Sequence, residues 1–339
     1  MSFRNLRAFI GLIVIIFAVT GCAPSAWFAP KPYKETQFLM DTIIEITAYG
    51  PNAEPAVKAA FAEFKRLHEL TNNFDPNSQV SRVNQLAGRE KVKVDPDVLT
   101  MIKRSNELSD QLDGVFDVTI GPLVELWGIG RKGEFVPSQA EIDRLLPLVN
   151  YHLMELDPAA GTIYLSKAGM LIDLGGIAKG YATDKAVDIL KAKGITSALV
   201  NAGGDVRVIG KRPDGNPWRI GVQHPRQPAG VIAKMAMTDW DTLETSGDYQ
   251  RYITSNGVQY SHILDPRTGR QPKGLASVTM VINSSTDGDI LSTALFVLGP
   301  ERALEALKRF PGVEAIMVTP DGKVTTSPGL EGKIEITAE

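Results

Sequence analysis

The sequence predicts an α+β fold with more than one sheet and with helices packed on the sheets, in a single large domain or two lobes. Two observations predict this class. Apolar residues recur at helical spacing in the first half of the chain, whereas short strand-like runs bounded by Gly, Pro or Asp dominate from Gly161 onward. Helices and strands neither alternate strictly nor segregate cleanly, which favours a mixed architecture.

In the first half, the segment Asp41–Tyr49 alternates apolar and polar residues enough to be a strand. Two long helices are predicted after it, because apolar residues recur three and four positions apart. Ser138 and Glu141 form a capping-box signature for a third helix, which Pro147 should end or bend. The two long helices are expected from near Pro55 to the polar stretch Thr71–Ser78, and from Pro96 to about Leu112.

The second half is predicted to be mostly strands, interrupted by a helix from about Ile177 to Lys193 with Gly194 as the residue after its end. A helix Asp289–Leu298 follows, and Gly299-Pro300 separates it from a last helix, Glu301–Phe310, before two closing strands. The strands expected from Gly161 to the Asp289 helix are TIYLS, MLIDL, SALVN, VRVIG, WRIGV, VIAKMAM, VQYSHIL and SVTMVI.

The beginning of the chain has the layout of a secretory signal, with two arginines, a short apolar run and then small residues. The apolar run, Ala8–Val19, is too short to span a bilayer comfortably, since a transmembrane helix needs about 20 apolar residues. Val-Thr-Gly-Cys at residues 19–22 resembles a bacterial lipobox, which implies cleavage before Cys22 and lipidation of its thiol. An uncleaved N-terminal anchor is the alternative.

We therefore expect a lipid-anchored protein of the bacterial cell envelope that faces the periplasm, on either the inner or the outer membrane. Prolines in the segment after Cys22 indicate a tether between the lipid and the folded domain. The predicted organisation is a signal peptide over residues 1–21, the lipidated cysteine and tether over 22–36, and one domain over 37–339.

Composition, net charge and the motifs that the sequence lacks argue against several classes of function. Hydrophobic residues make up 43% of the chain and charged residues 22%, which is ordinary for a globular protein. The formal net charge of −3 leaves no basic footprint, so nucleic acid is not an expected partner. Cys22 is the only cysteine, so no internal disulfide can form. The sequence lacks a G-x-S-x-G elbow, an H-E-x-x-H motif and zinc-like Cys–His spacing, which disfavours hydrolysis by a serine or zinc mechanism.

The run STDGDILSTALFVLG carries the most informative polar residues. Read as a helix that begins near Asp287, it places Asp289 on the same face as Ser292 and Thr293, one turn away. Hard oxygens suit Mg²⁺ or Ca²⁺, and a helix N-terminus also favours a phosphate. The alternative is structural, because acidic residues in a first turn are common helix caps.

Four further segments combine glycines with reactive side chains. Asp173–Gly180, with Lys179 in a first helical turn, has a phosphate-binding layout but neither Walker nor Rossmann spacing. NAGGD at 201–205 brings two glycines to a strand end, and DGVFD at 113–117 sets Phe116 beside Asp117 in a glycine turn. His262 precedes a DPRTG turn. Tight turns, a cap and a core histidine are the structural alternatives at these positions.

Taken together and in this order, these segments resemble the ApbE family, the FAD:protein FMN transferases. The resemblance covers nearly the whole mature chain, and the ordered set is far more specific than any single motif. The matching stretches are FLMDT (38–42), FDPNSQVSRVN (74–84), DGVFDVTIGPLV (113–124), DLGGIAKGYATDKA (173–186), NAGGD, TSGDY (245–249), SHILDPRTG (261–269) and DGDILSTALFVLG (287–299).

The resemblance implies a reaction. Such enzymes transfer the FMN half of FAD to a threonine hydroxyl of a target protein and release AMP, with Mg²⁺ as cofactor. Their targets are typically membrane redox subunits of the sodium-pumping NADH:quinone reductase and related complexes. An FAD pyrophosphatase that gives FMN and AMP, and an FAD-binding lipoprotein without catalysis, are the alternatives.

The resemblance also implies roles for single residues. It implies that His262 assists proton transfer and that Asp289 is essential for catalysis. Phe74 stands where many relatives have tyrosine or tryptophan, a position associated with the balance between FMN transfer and FAD hydrolysis. The implied FAD contacts are Met40, Phe74, Val115, Phe116, Asp117, Asp173, Lys179, His262 and Ile263. The implied Mg²⁺ ligands are Asp289, the Thr293 hydroxyl and oxygens at Gly176 and Ser292.

Overall fold

The computed structural model describes residues 31–337. The helices are α1 Ala53–Thr71, α2 Gln79–Gln85, α3 Pro96–Gln111, α4 Gly121–Trp127, α5 Gln139–Leu145, α6 Ala178–Ala192, α7 Ser285–Leu298 and α8 Pro300–Leu307. The strands are β1 Tyr33–Leu39, β2 Thr42–Tyr49, β3 Val92–Lys93, β4 Met154–Asp157, β5 Thr162–Leu165, β6 Ser197–Ala202, β7 Asp205–Ile209, β8 Trp218–Gln223, β9 Val231–Met237, β10 Thr242–Gly247, β11 Tyr252–Ser255, β12 Val258–Ser261, β13 Ser277–Ile282, β14 Glu314–Val318, β15 Val324–Thr326 and β16 Ile334–Ile336.

An eight-stranded antiparallel sheet organises the fold, with strand order β1-β2-β6-β7-β10-β13-β14-β15. Three smaller sheets accompany it, with strand orders β16-β9-β8, β3-β5-β4 and β11-β12. The prediction of an α+β fold with several sheets is therefore confirmed.

Both faces of the central sheet are covered. Helices α1, α6 and α7 pack on one face around a core that includes Phe64 and Phe296. On the other face, Trp218 and Met235 of the β16-β9-β8 sheet pack with central-strand residues such as Val281. All six residues of β13 are buried as a result, since a strand covered on both faces does not alternate with solvent.

Most of the predicted elements are present. Ser138 and Glu141 form the capping box at the start of α5, and Gly194 follows α6 with a φ of +82°. The strand predicted at MLIDL is wrong, because that segment forms only an isolated bridge between Leu171 and Ile120. The amide of Asn84 satisfies both main-chain groups of Ile172, at 2.7 and 3.0 Å, where a strand would have used a neighbour.

Three predicted boundaries are also wrong. Helix α7 begins at Ser285 behind its cap Ser284, so Asp289 lies in the second turn and is neither a first-turn residue nor a cap. Strand β12 ends at Ser261, which leaves the following residues as a loop. Strand β1 begins at Tyr33, inside the segment assigned to the tether, and pairs with β2 along its whole length.

The signal peptide over residues 1–21 and the lipidated Cys22 lie outside the described residues. Within residues 31–337, no helix is both long enough and apolar enough to cross a bilayer.

Candidate active site

Segments from distant parts of the chain surround a cavity of about 460 Å³. The turn between β1 and β2, the loop after α1, the loop before α4 and the start of α6 contribute residues, as do β10, the loop after β12 and α7. Of the predicted site residues, Ser292 does not line this cavity. The predicted residues that do are Met40, Phe74, Val115, Phe116, Asp117, Asp173, Gly176, Lys179, His262, Ile263, Asp289 and Thr293.

Lys179 and Asp289 form the charged centre of the cavity. The Lys179 Nζ atom lies 3.0 Å from Asp289 Oδ1 and 2.8 Å from Asp205 Oδ2. The other oxygen of Asp289 accepts a hydrogen bond of 3.0 Å from the main-chain N–H of Gly180. A Cβ at Gly180 would overlap the carbonyl oxygen of Ser285, so glycine is what lets α6 and α7 approach closely enough for these contacts.

A third carboxylate, Glu244 on β10, joins this centre. Asp205, Glu244 and Asp289 are all buried and offer oxygens within 4.8 Å of one another. Glu244 is 1% exposed, and neither of its carboxylate oxygens has a hydrogen-bond partner among the described residues. Burial and the two neighbouring carboxylates raise the pKa of Glu244 well above its usual value. Burial also raises the pKa of Asp289, although Lys179 opposes that shift.

The same carboxylates keep Lys179 protonated. Burial by itself lowers the pKa of Lys179, but the surrounding carboxylates outweigh burial and leave its pKa above the usual value. If every group were ionised, three carboxylates would face a single ammonium group, which leaves a formal excess of two negative charges.

Hydroxyl groups lie next to this centre. The Ser246 Oγ atom is 2.9 Å from Ser292 Oγ and 3.2 Å from Thr293 Oγ1. A Cβ on Gly176 would lie 3.7 Å from Thr293 Oγ1 and 2.9 Å from a ring carbon of Phe116. Gly176 and Thr293 are therefore neighbours, as the predicted ligand set requires. The hydroxyl of Ser292, in contrast, is buried and donates to the carbonyl oxygen of Asp289 at 3.0 Å.

His262 lies at the cavity wall, immediately after β12. Its Nδ1 atom is 3.2 Å from the carbonyl oxygen of Arg251. Burial, together with the positive charge of Arg251, lowers the pKa of His262 to about 3. The imidazole is therefore neutral at pH 7, and if Nδ1 carries the proton toward Arg251, Nε2 is free to accept another proton.

The two aspartates predicted to contact FAD both accept hydrogen bonds from the protein, but Asp117 is buried whereas Asp173 is half-buried. Both carboxylate oxygens of Asp117 are taken, because Oδ1 accepts from the N–H and hydroxyl of Thr119 and Oδ2 accepts from the N–H of Tyr151. Burial raises the pKa of Asp117 despite these bonds. Asp173 accepts from the Asn73 amide at 3.0 Å and from the N–H of Gly175 at 2.7 Å, at the edge of the cavity.

Three separate loops meet at the mouth of the cavity. Met40 and Asp41 form the turn between β1 and β2, with φ values of +53° and +57°. The guanidinium of Arg131 lies over the exposed ring of Phe74 and is 3.4 Å from Asp41 Oδ2. These contacts hold the β1–β2 turn, the loop after α1 and the loop after α4 together around the opening.

Sequence reasoning missed Glu244, Arg131 and Arg251, and it identified Asp205 and Ser246 only as members of the NAGGD and TSGDY motifs. Glu244 directly precedes the TSGDY motif, but no strand was predicted over Thr242–Gly247, so the sequence did not mark it as buried. The arginines follow no motif and are brought to the cavity only by the tertiary structure.

Comparison with known proteins identifies the family. The ApbE family model matches residues 40–317, which include every residue of the cavity described above. The chain belongs to the ApbE family. One curated relative, the FAD:protein FMN transferase of Klebsiella pneumoniae (strain 342), is 35% identical over 298 residues, which cover 88% of this chain and 92% of that protein.

Solved ApbE structures share the fold. The ApbE protein of Thermotoga maritima has a TM-score of 0.83 at 35% identity, covering 89% of this chain and 99% of its own. The Pseudomonas stutzeri flavinyl transferase ApbE, in its apo form, has a TM-score of 0.78 at 30% identity, with 91% and 99% coverage.

Proposed function

We propose that this flavin transferase moves the FMN half of FAD to a threonine hydroxyl of a target protein, depends on Mg²⁺ and releases AMP. The observation that carries the proposal is the meeting of Lys179, Asp289, Thr293 and His262 in one cavity of a chain from a family of FMN transferases. Phosphoryl transfer depends mainly on positioning and on neutralising charge, and these residue types supply both.

The residues fit a divalent cation. Buried Glu244 has no hydrogen-bond partner within residues 31–337, and three carboxylates face one lysine, so the centre can accept further positive charge. Asp289, the Thr293 hydroxyl and main-chain oxygens of Gly176 and Ser292 would hold Mg²⁺. The cation would neutralise charge on the diphosphate of bound FAD.

The chain itself supplies binding and proton transfer. Lys179 and the N-terminus of α6 favour the diphosphate, since both carry positive charge toward the cavity. The threonine oxygen forms a bond to the phosphorus of the FMN half, the P–O bond to AMP breaks, and the hydroxyl proton passes to His262. A neutral imidazole can accept that proton, and the negative diphosphate nearby would favour its protonated form.

We also propose the cellular setting that the family resemblance implies. The acceptors would be redox subunits of membrane complexes that carry a flavinylated threonine. A lipid on Cys22 would tie the enzyme to a membrane of the bacterial envelope, with the folded domain facing the periplasm. Intact-mass analysis of the enzyme, and of a candidate subunit co-expressed with it, tests both parts.

The direct test is incubation with FAD and Mg²⁺, with and without an acceptor subunit. Transfer predicts an acceptor mass increased by FMN and AMP formation that depends on the acceptor. AMP formed equally fast without an acceptor would instead identify an FAD pyrophosphatase, with water as the nucleophile. Tight FAD binding with no AMP under any condition would identify a non-catalytic FAD-binding protein.

A further inference from the structure

Large apolar side chains are exposed around the mouth of the cavity. Five of the eight large hydrophobic residues exposed among residues 31–337 lie on segments that also line the cavity. We call these five the rim patch. Its members are Phe38, Ile43, Phe74, Phe135 and Tyr252.

The rim patch has its most exposed part on the β1–β2 hairpin. Phe38 is 71% exposed and Ile43 is 62% exposed, and the two residues are directly opposite each other in the antiparallel register. Opposite residues point to the same face of a sheet and lie about 5 Å apart, so the two side chains form one surface. Each lies two residues from the turn residues Met40 and Asp41, which line the cavity, a distance of about 7 Å along a strand.

The other members lie on three further segments that line the cavity. Phe74 itself lines the cavity, and the contacts of Arg131 with Phe74 and Asp41 hold its loop against the hairpin turn. Phe135 lies farther along the loop that contains Arg131, and Tyr252 follows the lining residue Arg251. Four segments that line the cavity therefore each carry an exposed apolar or aromatic residue within three positions of a lining residue.

We propose that the rim patch is the docking surface for the acceptor protein, and that it binds apolar side chains flanking the acceptor hydroxyl residue. This inference rests on the proposed function. A protein substrate must bring its hydroxyl through this opening to the diphosphate, so its flanking segment has to cover the surface that is continuous with the opening. Phe38 and Ile43 form one exposed apolar surface, and surfaces of this kind mark interaction sites, at which aromatic residues are enriched.

The hairpin pair provides the test, because neither Phe38 nor Ile43 lines the cavity. Phe38→Thr and Ile43→Thr, singly and together, remove apolar surface while threonine retains a preference for strands. We expect KM for the acceptor to rise about tenfold or more in the double variant, as for the loss of a central interface contact. The acceptor is a soluble redox-subunit domain that the wild-type enzyme labels with FMN. FAD affinity, measured by quenching of flavin fluorescence, should stay within twofold of wild type.

Val231 and Ile336 give a matched control. Both are exposed apolar residues of paired strands, in the β16-β9-β8 sheet, and neither lines the cavity. Val231→Thr together with Ile336→Thr should leave KM for the acceptor unchanged. An unchanged acceptor KM in the hairpin double variant, or an equal rise in the control, would overturn the docking proposal. If the wild-type enzyme labels no acceptor at all, the proposed FMN transfer itself is wrong. That outcome is distinct from failure of the docking proposal, in which the wild-type enzyme still labels the acceptor.

Discussion

Asp289→Asn tests the charged centre while preserving the shape of the side chain. Asp289 is buried, and its two oxygens accept from Lys179 and from the N–H of Gly180. Asparagine retains one oxygen acceptor but carries no charge. Lys179 keeps its ion pair with Asp205 at 2.8 Å, so the lysine is not left without a partner.

The contacts of Asp289 indicate how much stability and how much transfer rate the variant should lose. Hydrogen bonds to charged groups contribute about 1.5–3 kcal/mol, and asparagine retains part of this, so we expect unfolding free energy to fall by about 1 kcal/mol. That corresponds to a decrease in Tm of about 1–2 °C for a chain of 339 residues. The rate of transfer should fall more, by about 10²–10³-fold, because the variant would hold the proposed Mg²⁺ more weakly and the cation would no longer stabilise transition-state charge.

The assay measures FMN transfer over a range of Mg²⁺ concentrations, with thermal unfolding of the same samples. Asp287→Asn is the control, since Asp287 lies on the same helix and pairs with Arg104 at 2.7 Å but does not line the cavity. We expect the control to lose stability without losing transfer. Wild-type turnover by Asp289→Asn at limiting Mg²⁺ would refute the proposal that Asp289 holds Mg²⁺.

Three further outcomes follow from the contacts. His262→Ala should lower kcat more than it weakens FAD binding, and equal effects in steady-state kinetics and fluorescence titration would argue against proton transfer by this residue. The pKa of His262 is about 3 in the folded chain against an ordinary 6.5, so the unfolded chain protonates first as pH falls. The stability that His262 contributes above pH 6.5 is then lost toward pH 3, and urea unfolding of His262→Gln should show a weaker decline over that range than wild type. Gly180→Ala should destabilise the chain by about 1–3 kcal/mol, because the added Cβ meets the carbonyl oxygen of Ser285, and a denaturant midpoint equal to wild type would contradict that packing.

The sequence predicted elements well wherever local physics determines them. The capping box at Ser138 and the position of Gly194 after α6 depend on neighbouring residues only, and both are present. Strand β1 was missed because it lies at the edge of the sheet, where one face is only partly buried. Its polar residues, such as Lys34 and Gln37, match the composition of a tether as well as that of an edge strand.

The missed site residues have a different cause. Glu244 has no local partner, and its importance comes from Asp205 and Asp289, which reach it from β7 and α7. No strand was predicted at Glu244, and the sequence pattern does not show which distant segments pack against an isolated charged residue, which is mostly expected to be exposed. Family resemblance placed Asp289 in the site, whereas the surrounding acidic group emerged only from the tertiary structure.

The balance of charge in the cavity leads to an expectation about how Mg²⁺ affects the affinity for FAD. Asp205 and Asp289 already contact the ammonium group of Lys179, so this lysine alone does not neutralise a bound diphosphate. The diphosphate of FAD would bring two more negative charges next to a group of three carboxylates. FAD should therefore bind at least about tenfold more tightly with Mg²⁺ than in EDTA, a ratio within the usual range for coupled ligands. Equal affinities in a fluorescence titration would mean that the diphosphate lies away from these carboxylates.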